Sequence, residues 1–142
     1  MFGLSLFGLA MGLGAVFGIP WKIEPLFWLV IFITSAFAMA RQAPSRPFLH
    51  GFLLGIVNSV WVTAAHILFY NRYLARHPIE AAMMERLQAS PRLAKVGMAL
   101  DGLASGLIYG VVIGVLAYVI AKALKSQDQG ASVRGRRARA PS

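Results

Sequence analysis

The sequence predicts an all-α integral membrane protein: a bundle of four transmembrane helices in which helices 3 and 4 form a glycine-rich antiparallel hairpin. Three observations predict this fold class. Of the 142 residues, 58% are hydrophobic and only 13% are charged, against about 25% charged in an ordinary soluble protein. The charges lie between four long apolar segments or in the C-terminal tail. The last two of these segments carry small residues at helical spacing.

The four predicted spans form one transmembrane domain over residues 1–125 and cover residues 2–20, 25–40, 48–73 and 97–124. At 1.5 Å per residue the first reaches about 28 Å and the second about 24 Å, against a hydrocarbon core of roughly 30 Å. The second span therefore needs Ile23 or local bilayer thinning to cross. The first segment lacks a basic start, so we expect a span there rather than a cleaved signal peptide.

Two polar regions lie outside the spans. Residues 78–89 place apolar side chains at helical spacing behind Pro78, which predicts a short amphipathic helix at the membrane interface. A helical loop without lipid contact is the alternative. Residues 126–142 predict a disordered basic tail that contacts anionic lipid headgroups through four arginines, Arg134, Arg136, Arg137 and Arg139. No aromatic residue interleaves these arginines, so nucleic acid is not an expected partner despite the net charge of +9.

The distribution of cations predicts the orientation. With four spans, both termini and residues 41–47 share one side of the membrane. That side carries eight Lys and Arg residues, and the opposite side, with residues 74–95, carries six. Because cytoplasmic loops are enriched in Lys and Arg, we expect a multi-pass protein of a bacterial inner membrane with both termini cytoplasmic.

Small residues recur every four positions on the last two spans. The fourth span carries Gly102, Gly106, Gly110 and Gly114, and the third carries Gly51, Gly55, Ser59 and Thr63. Small residues let two membrane helices approach closely. We expect the two stripes to pack on each other, with Gly55 level with Gly114, Ser59 near Gly110 and Thr63 near Gly106. A homo-oligomeric glycine zipper that uses one stripe is the alternative.

Polar side chains mark a seam through the third span and the start of the fourth: Asn58, His66, Tyr70 and Asp101. An intramembrane carboxylate is costly and normally has a partner. The candidate partners of Asp101 are His66, Asn71 and Arg72. The seam predicts either a proton or cation relay through Asp101 and His66, or hydrogen bonds that only fix the register of the hairpin. A third alternative is that Asp101 simply extends to water at the headgroups.

The sequence predicts no catalytic, cofactor or metal site. There is no cysteine, and phosphate-binding glycine motifs are absent. His50 and His66 lie about 24 Å apart along one helix, so they do not ligate one haem iron. No span holds an acid–histidine pair at metal-ligand spacing. The candidate nucleophile Ser59 has no evident base.

These observations leave three functional hypotheses. The leading one is a non-enzymatic accessory, assembly or partner-binding subunit, whose partner is another protein or a second copy of the chain. The alternative is a small transporter or oligomeric pore, holin-like pores included, that uses the His66–Asp101 seam. The second alternative is a membrane-embedded enzyme that acts on a lipid or a quinone.

Overall fold

The computed structural model describes residues 2–20, 22–43, 45–87 and 90–138, with side chains from residue 3 to residue 130. This part of the chain is helical and contains no strand. The six helices are α1 (Phe2–Phe17), α2 (Glu24–Gln42), α3 (Pro47–Leu68), α4 (Tyr70–Arg76), α5 (Pro78–Arg86) and α6 (Pro91–Ala138).

Proline residues set where four of these helices begin. Pro25 lies in the first turn of α2, and Pro47, Pro78 and Pro91 are the first residues of α3, α5 and α6. Proline is favoured there because its missing N–H has no intrahelical partner in the first turn. At the start of α6 the Ser90 hydroxyl also accepts a hydrogen bond from the backbone N–H of Leu93, at 3.3 Å.

Helix α3 lies at the centre of the bundle, because it packs against both α1 and α6. Helix α1 runs parallel to α3, since Gly8 contacts the backbone of Asn58 and, further along both helices, Gly12 contacts Val62. Helix α2 packs along α6. The core where α2, α3 and α6 meet is small and consists of Ala36, Met39, Leu54, Ile113 and Ala117.

Three of the described helices are long and apolar enough to cross a membrane: Glu24–Gln42, Pro47–Leu68 and Pro91–Gly130. Their outward faces are apolar and exposed, as at Leu26 (62%) and Ile108 (61%). Such faces suit a lipid environment, so the chain is a multi-pass membrane protein. The first apolar helix, Gly3–Phe17, is shorter than these three.

The glycine and small-residue stripes of α3 and α6 lie against each other, one turn out of the predicted register. Gly51 faces Gly114, Gly55 faces Gly110, and Ser59 and Thr63 face Gly106 and Gly102. The prediction that Gly55 lies level with Gly114 is wrong, because Gly55 faces Gly110, four residues earlier on α6. In the observed register Phe48 and Phe52 each rest their backbone carbonyl and ring on a glycine, Gly114 and Gly110 respectively. A shift of one turn would carry Phe52 to Gly114 and leave Phe48 without a glycine to pack on.

Two further differences concern helix ends. The predicted third span continues to residue 73, but the helix breaks at Phe69, which has non-helical dihedral angles (φ −106°, ψ 33°). Helix α6 continues to Ala138, whereas a disordered tail is predicted from residue 126. Alanine, glutamine and arginine in this segment favour helix, whereas Gly130 and Gly135 do not. The side chains of Arg134, Arg136 and Arg137, and the whole of Arg139, lie outside the described part, as do residues 88 and 89 of the predicted interfacial helix.

Candidate functional site

A cavity of about 610 Å³ lies among the last turns of α3, the first half of α6 and the first turns of α2, with α4 and α5 over it. Its volume falls within the range of about 300–1,000 Å³ that is typical of small-molecule sites. The wall combines apolar and polar side chains. The polar and aromatic ones are Glu24, Trp28, Ser59, Thr63, His66, Tyr73, Glu80, Asp101, Ser105 and Tyr109.

Five of the predicted site residues meet at this cavity: Ser59, Thr63, His66, Asp101 and Gly102. The Ser59 hydroxyl donates a hydrogen bond to the backbone carbonyl of Gly102, at 2.5 Å. Asp101 is exposed, and within the described part of the chain no hydrogen bond or ion pair joins it to His66. The imidazole Nε2 of His66 is buried and has no hydrogen-bond partner there. The two residues therefore share a wall without contacting each other.

The other two residues of the predicted seam lie elsewhere. Asn58 is buried and faces α1, where its Oδ1 accepts a hydrogen bond from the Gly8 N–H at 3.2 Å. Tyr70 follows the break at Phe69 and packs beneath the ammonium group of Lys95, 5.6 Å from the ring centroid. Tyr70 therefore lies outside the wall that carries His66.

The sequence does not predict the best-connected polar group at the cavity, the pair Glu24–His77. Nε2 of His77 lies 3.2 Å from Oε2 of Glu24, and the other carboxylate oxygen accepts a hydrogen bond from the Trp28 indole at 3.3 Å. His77 is buried, with 4% of its surface exposed. The pair joins the first turn of α2 to the residue between α4 and α5.

Both ring nitrogens of His77 lie close to oxygen atoms. Nδ1 lies 3.0 Å from the backbone carbonyl oxygen of Tyr73. Nε2 lies 3.2 Å from Oε2 of Glu24. The imidazole is therefore held at both of its nitrogens, by α4 and by the first turn of α2.

The Tyr73 ring lies between two histidine rings. Its centroid is 4.0 Å from that of His66 and 4.0 Å from that of His77, with interplanar angles of 25° and 21°. Burial raises the pKa of the Tyr73 phenol above its ordinary value, and the nearby carboxylates of Glu80, Glu24 and Asp101 raise it further. The phenol therefore stays neutral, chiefly because it is buried.

Little in the sequence indicates the Glu24–His77 pair. The two residues are 53 positions apart and both lie at helix boundaries, where no periodicity connects them. One signal is composition, because Glu24 is the only acidic residue in the first 79 positions. Within the described part of the chain, no group of three or more His, Cys, Asp or Glu residues is arranged to hold a metal ion. The side chains that line the site are polar, aromatic and apolar.

No family model, no curated protein and no solved structure matches this chain.

Proposed function

We propose that this chain is a four-span membrane protein that binds a small molecule in the cavity at one end of its bundle and acts by binding or transport rather than by covalent chemistry. The observation that carries the proposal is the cavity itself, a volume of about 610 Å³ beside two helices that otherwise pack at backbone contact. Membrane helices with such complementary stripes gain van der Waals contacts when they pack closely. A cavity beside such a closely packed pair is expected where a ligand binds.

The wall of the cavity supports binding. A Cβ on Gly97 would have no neighbour within 4 Å, unlike one on Gly106 or Gly110, where Ser59 and Phe52 lie within 3 Å. The buried Nε2 of His66 has no protein partner. Buried polar atoms are normally satisfied, so a ligand or water is expected to complete this one. The transporter hypothesis is consistent with this arrangement, because both of its residues, His66 and Asp101, line the cavity.

The proposed topology has α1 as the fourth membrane-crossing helix. Its parallel packing on α3, with Phe17 stacked edge-on against Phe69 at 5.0 Å, supports this assignment. Both termini would then be cytoplasmic in a bacterial inner membrane, with the tail arginines at anionic headgroups. The cavity would lie at the opposite, outer end of the bundle.

The accessory-subunit hypothesis is the second candidate. It is favoured by the apolar outer face of α5, where Ile79 is 64% exposed and lies off the cavity wall although α5 is no candidate span. A partner protein, a second copy or the lipid surface would cover this face. An enzyme has less support, because the Ser59 hydroxyl donates to a backbone carbonyl rather than to a base.

Native mass spectrometry of the protein in gentle detergent tests the proposal. We expect the wild type to carry a bound small molecule, and Gly97→Leu, which fills the cavity, to lose it. Gly3→Leu is the matched control, because Gly3 also has open space beside it but lies on α1, away from the cavity. A bound molecule that both variants keep, or a co-purified protein with no small molecule, would contradict cavity binding; the latter would favour the accessory subunit.

A further inference from the structure

We propose that the ligand of this cavity is a lipophilic organic cation. This inference rests on the proposed function and specifies the chemical class of the ligand. It draws on the sign of the charges at the cavity, on the aromatic rings beside them and on the apolar residues that complete the wall.

The charges at the cavity are of one sign. The chain has only five acidic residues but fourteen Lys and Arg residues. Three of the acidic residues, Glu24, Glu80 and Asp101, line the cavity, and none of the described lysines or arginines does. The cavity wall is thus acidic, although the whole chain has a net charge of +9. The cavity wall therefore attracts cations and repels anions.

Two of the three carboxylates remain available to a ligand. Glu24 is occupied by His77 and Trp28, whereas within the described part of the chain Glu80 and Asp101 have neither a hydrogen bond nor an ion pair. Glu80 belongs to α5 and Asp101 to α6, so they approach the cavity from different helices.

Aromatic rings add a second attraction for a cation. Trp28 and Tyr109 lie on the wall with ring centroids 5.9 Å apart, and Tyr73 lies on the wall beside His66. The faces of Trp and Tyr rings attract organic cations through their quadrupoles, an attraction that grows where water is excluded. The unpartnered Nε2 of His66 is a further polar group at the same wall.

The remaining wall indicates a lipophilic ligand. Met83, Met84 and Met98 contribute thioether side chains, which adapt their shape to apolar surfaces. A small hydrated inorganic ion would leave these side chains without contact in a volume of about 610 Å³. An organic cation with apolar substituents would contact both the carboxylates and the methionines.

The test uses two probes of the same shape and opposite charge, tetraphenylphosphonium and tetraphenylborate, with the full chain in nanodiscs and empty nanodiscs as blank. We expect the phosphonium ion to bind at least about tenfold more tightly after subtraction of the blank. Asp101→Asn and Glu80→Gln should each weaken phosphonium binding about fivefold. Glu85→Gln is the matched control, because Glu85 lies on α5 but not on the cavity wall, and it should leave binding unchanged.

Gly97→Leu separates the two proposals. If both probes bind equally and Gly97→Leu abolishes both, the cavity is a ligand site and its preference for cations is wrong. If the phosphonium ion binds selectively but Gly97→Leu leaves its affinity unchanged, the cation binds elsewhere, and both the cavity site and its ligand class fail. Unchanged phosphonium affinity in both carboxylate variants would also overturn the inference. Circular dichroism and the melting temperature of each variant establish that the fold is retained.

Discussion

The carboxylate of Glu24 and the imidazole of His77 meet at 3.2 Å although 53 residues separate them in the chain. The contact connects the beginning of α2 to the segment that covers the cavity. Since α5 buries no residue of its own, this pair is an anchor for α4 and α5 over the cavity. Its removal is expected to affect both stability and the cavity.

Glu24→Gln and His77→Asn should each destabilise the protein by about 1–3 kcal/mol, because each leaves a buried partner without its hydrogen bond. The double variant should lose much less than the sum, since the partners act on each other. Thermal unfolding in detergent measures this, with Glu85→Gln as a control that should change nothing. Additive losses would show that the two residues do not interact.

Tyr73 predicts an alkaline loss of stability. Its pKa is raised in the folded protein, so between about pH 10, the ordinary pKa of tyrosine, and the raised value the folded state binds more protons than the unfolded state. Stability should therefore fall as the pH rises above about 10. Tyr73→Phe removes this titration. The wild type should lose stability more steeply than the variant over this range, and equal slopes would mean that the phenol is not shielded.

The register of α3 against α6 can be tested by disulfide formation, because the chain has no native cysteine. A Cβ on Gly106 would lie 2.9 Å from that of Ser59. Ser59→Cys combined with Gly106→Cys should oxidise readily. Ser59→Cys combined with Gly110→Cys, the register predicted from the sequence, should oxidise slowly, since one turn is about 5.4 Å. The opposite order, read by mass spectrometry of the peptides, would favour the predicted register.

Cysteine labelling also tests the topology. Leu87→Cys lies in the exposed α5 region and Gly130→Cys near the end of the described α6 side chains. In intact cells an impermeant maleimide should label the first and not the second, because the proposal places them on opposite sides of the membrane. Permeabilised cells should label both. Labelling of both positions in intact cells, or of position 130 alone, would contradict the proposed orientation.

Local pattern predicts most of the helices but not how they meet. Apolar segments and prolines such as Pro47 and Pro91 place helices, and Gly55 and Gly110 predict a close approach. The sequence does not determine their register, because a shift of one turn still pairs small residues. The two registers differ in whether Phe48 and Phe52 both pack on a glycine, which becomes visible only in the folded structure. Neither proline nor glycine marks the break at Phe69.

The cavity has some residues that the sequence predicts and others that it does not. His66 and Asp101 are visible as polar residues in apolar segments, and the structure places both at one wall. Apart from the isolation of Glu24 among the first 79 residues, Glu24 and His77 carry no sequence signal, because a charged residue at a helix boundary is common. Their contact depends on how the start of α2 meets the segment between α4 and α5, which no local pattern determines.

The central claim, an accessible cavity with a negative wall, is tested most directly by the reactivity of Gly97→Cys. Gly97 has open space beside it and lies one turn before Asp101 on α6. The measurement is the ratio of reaction rates with 2-aminoethyl methanethiosulfonate, a cation, and 2-sulfonatoethyl methanethiosulfonate, an anion, divided by the same ratio for a small thiol in solution. We predict a normalised ratio of at least about three, lowered towards one by Asp101→Asn. A normalised ratio of one or less, or a thiol that reacts with neither reagent, would contradict the account.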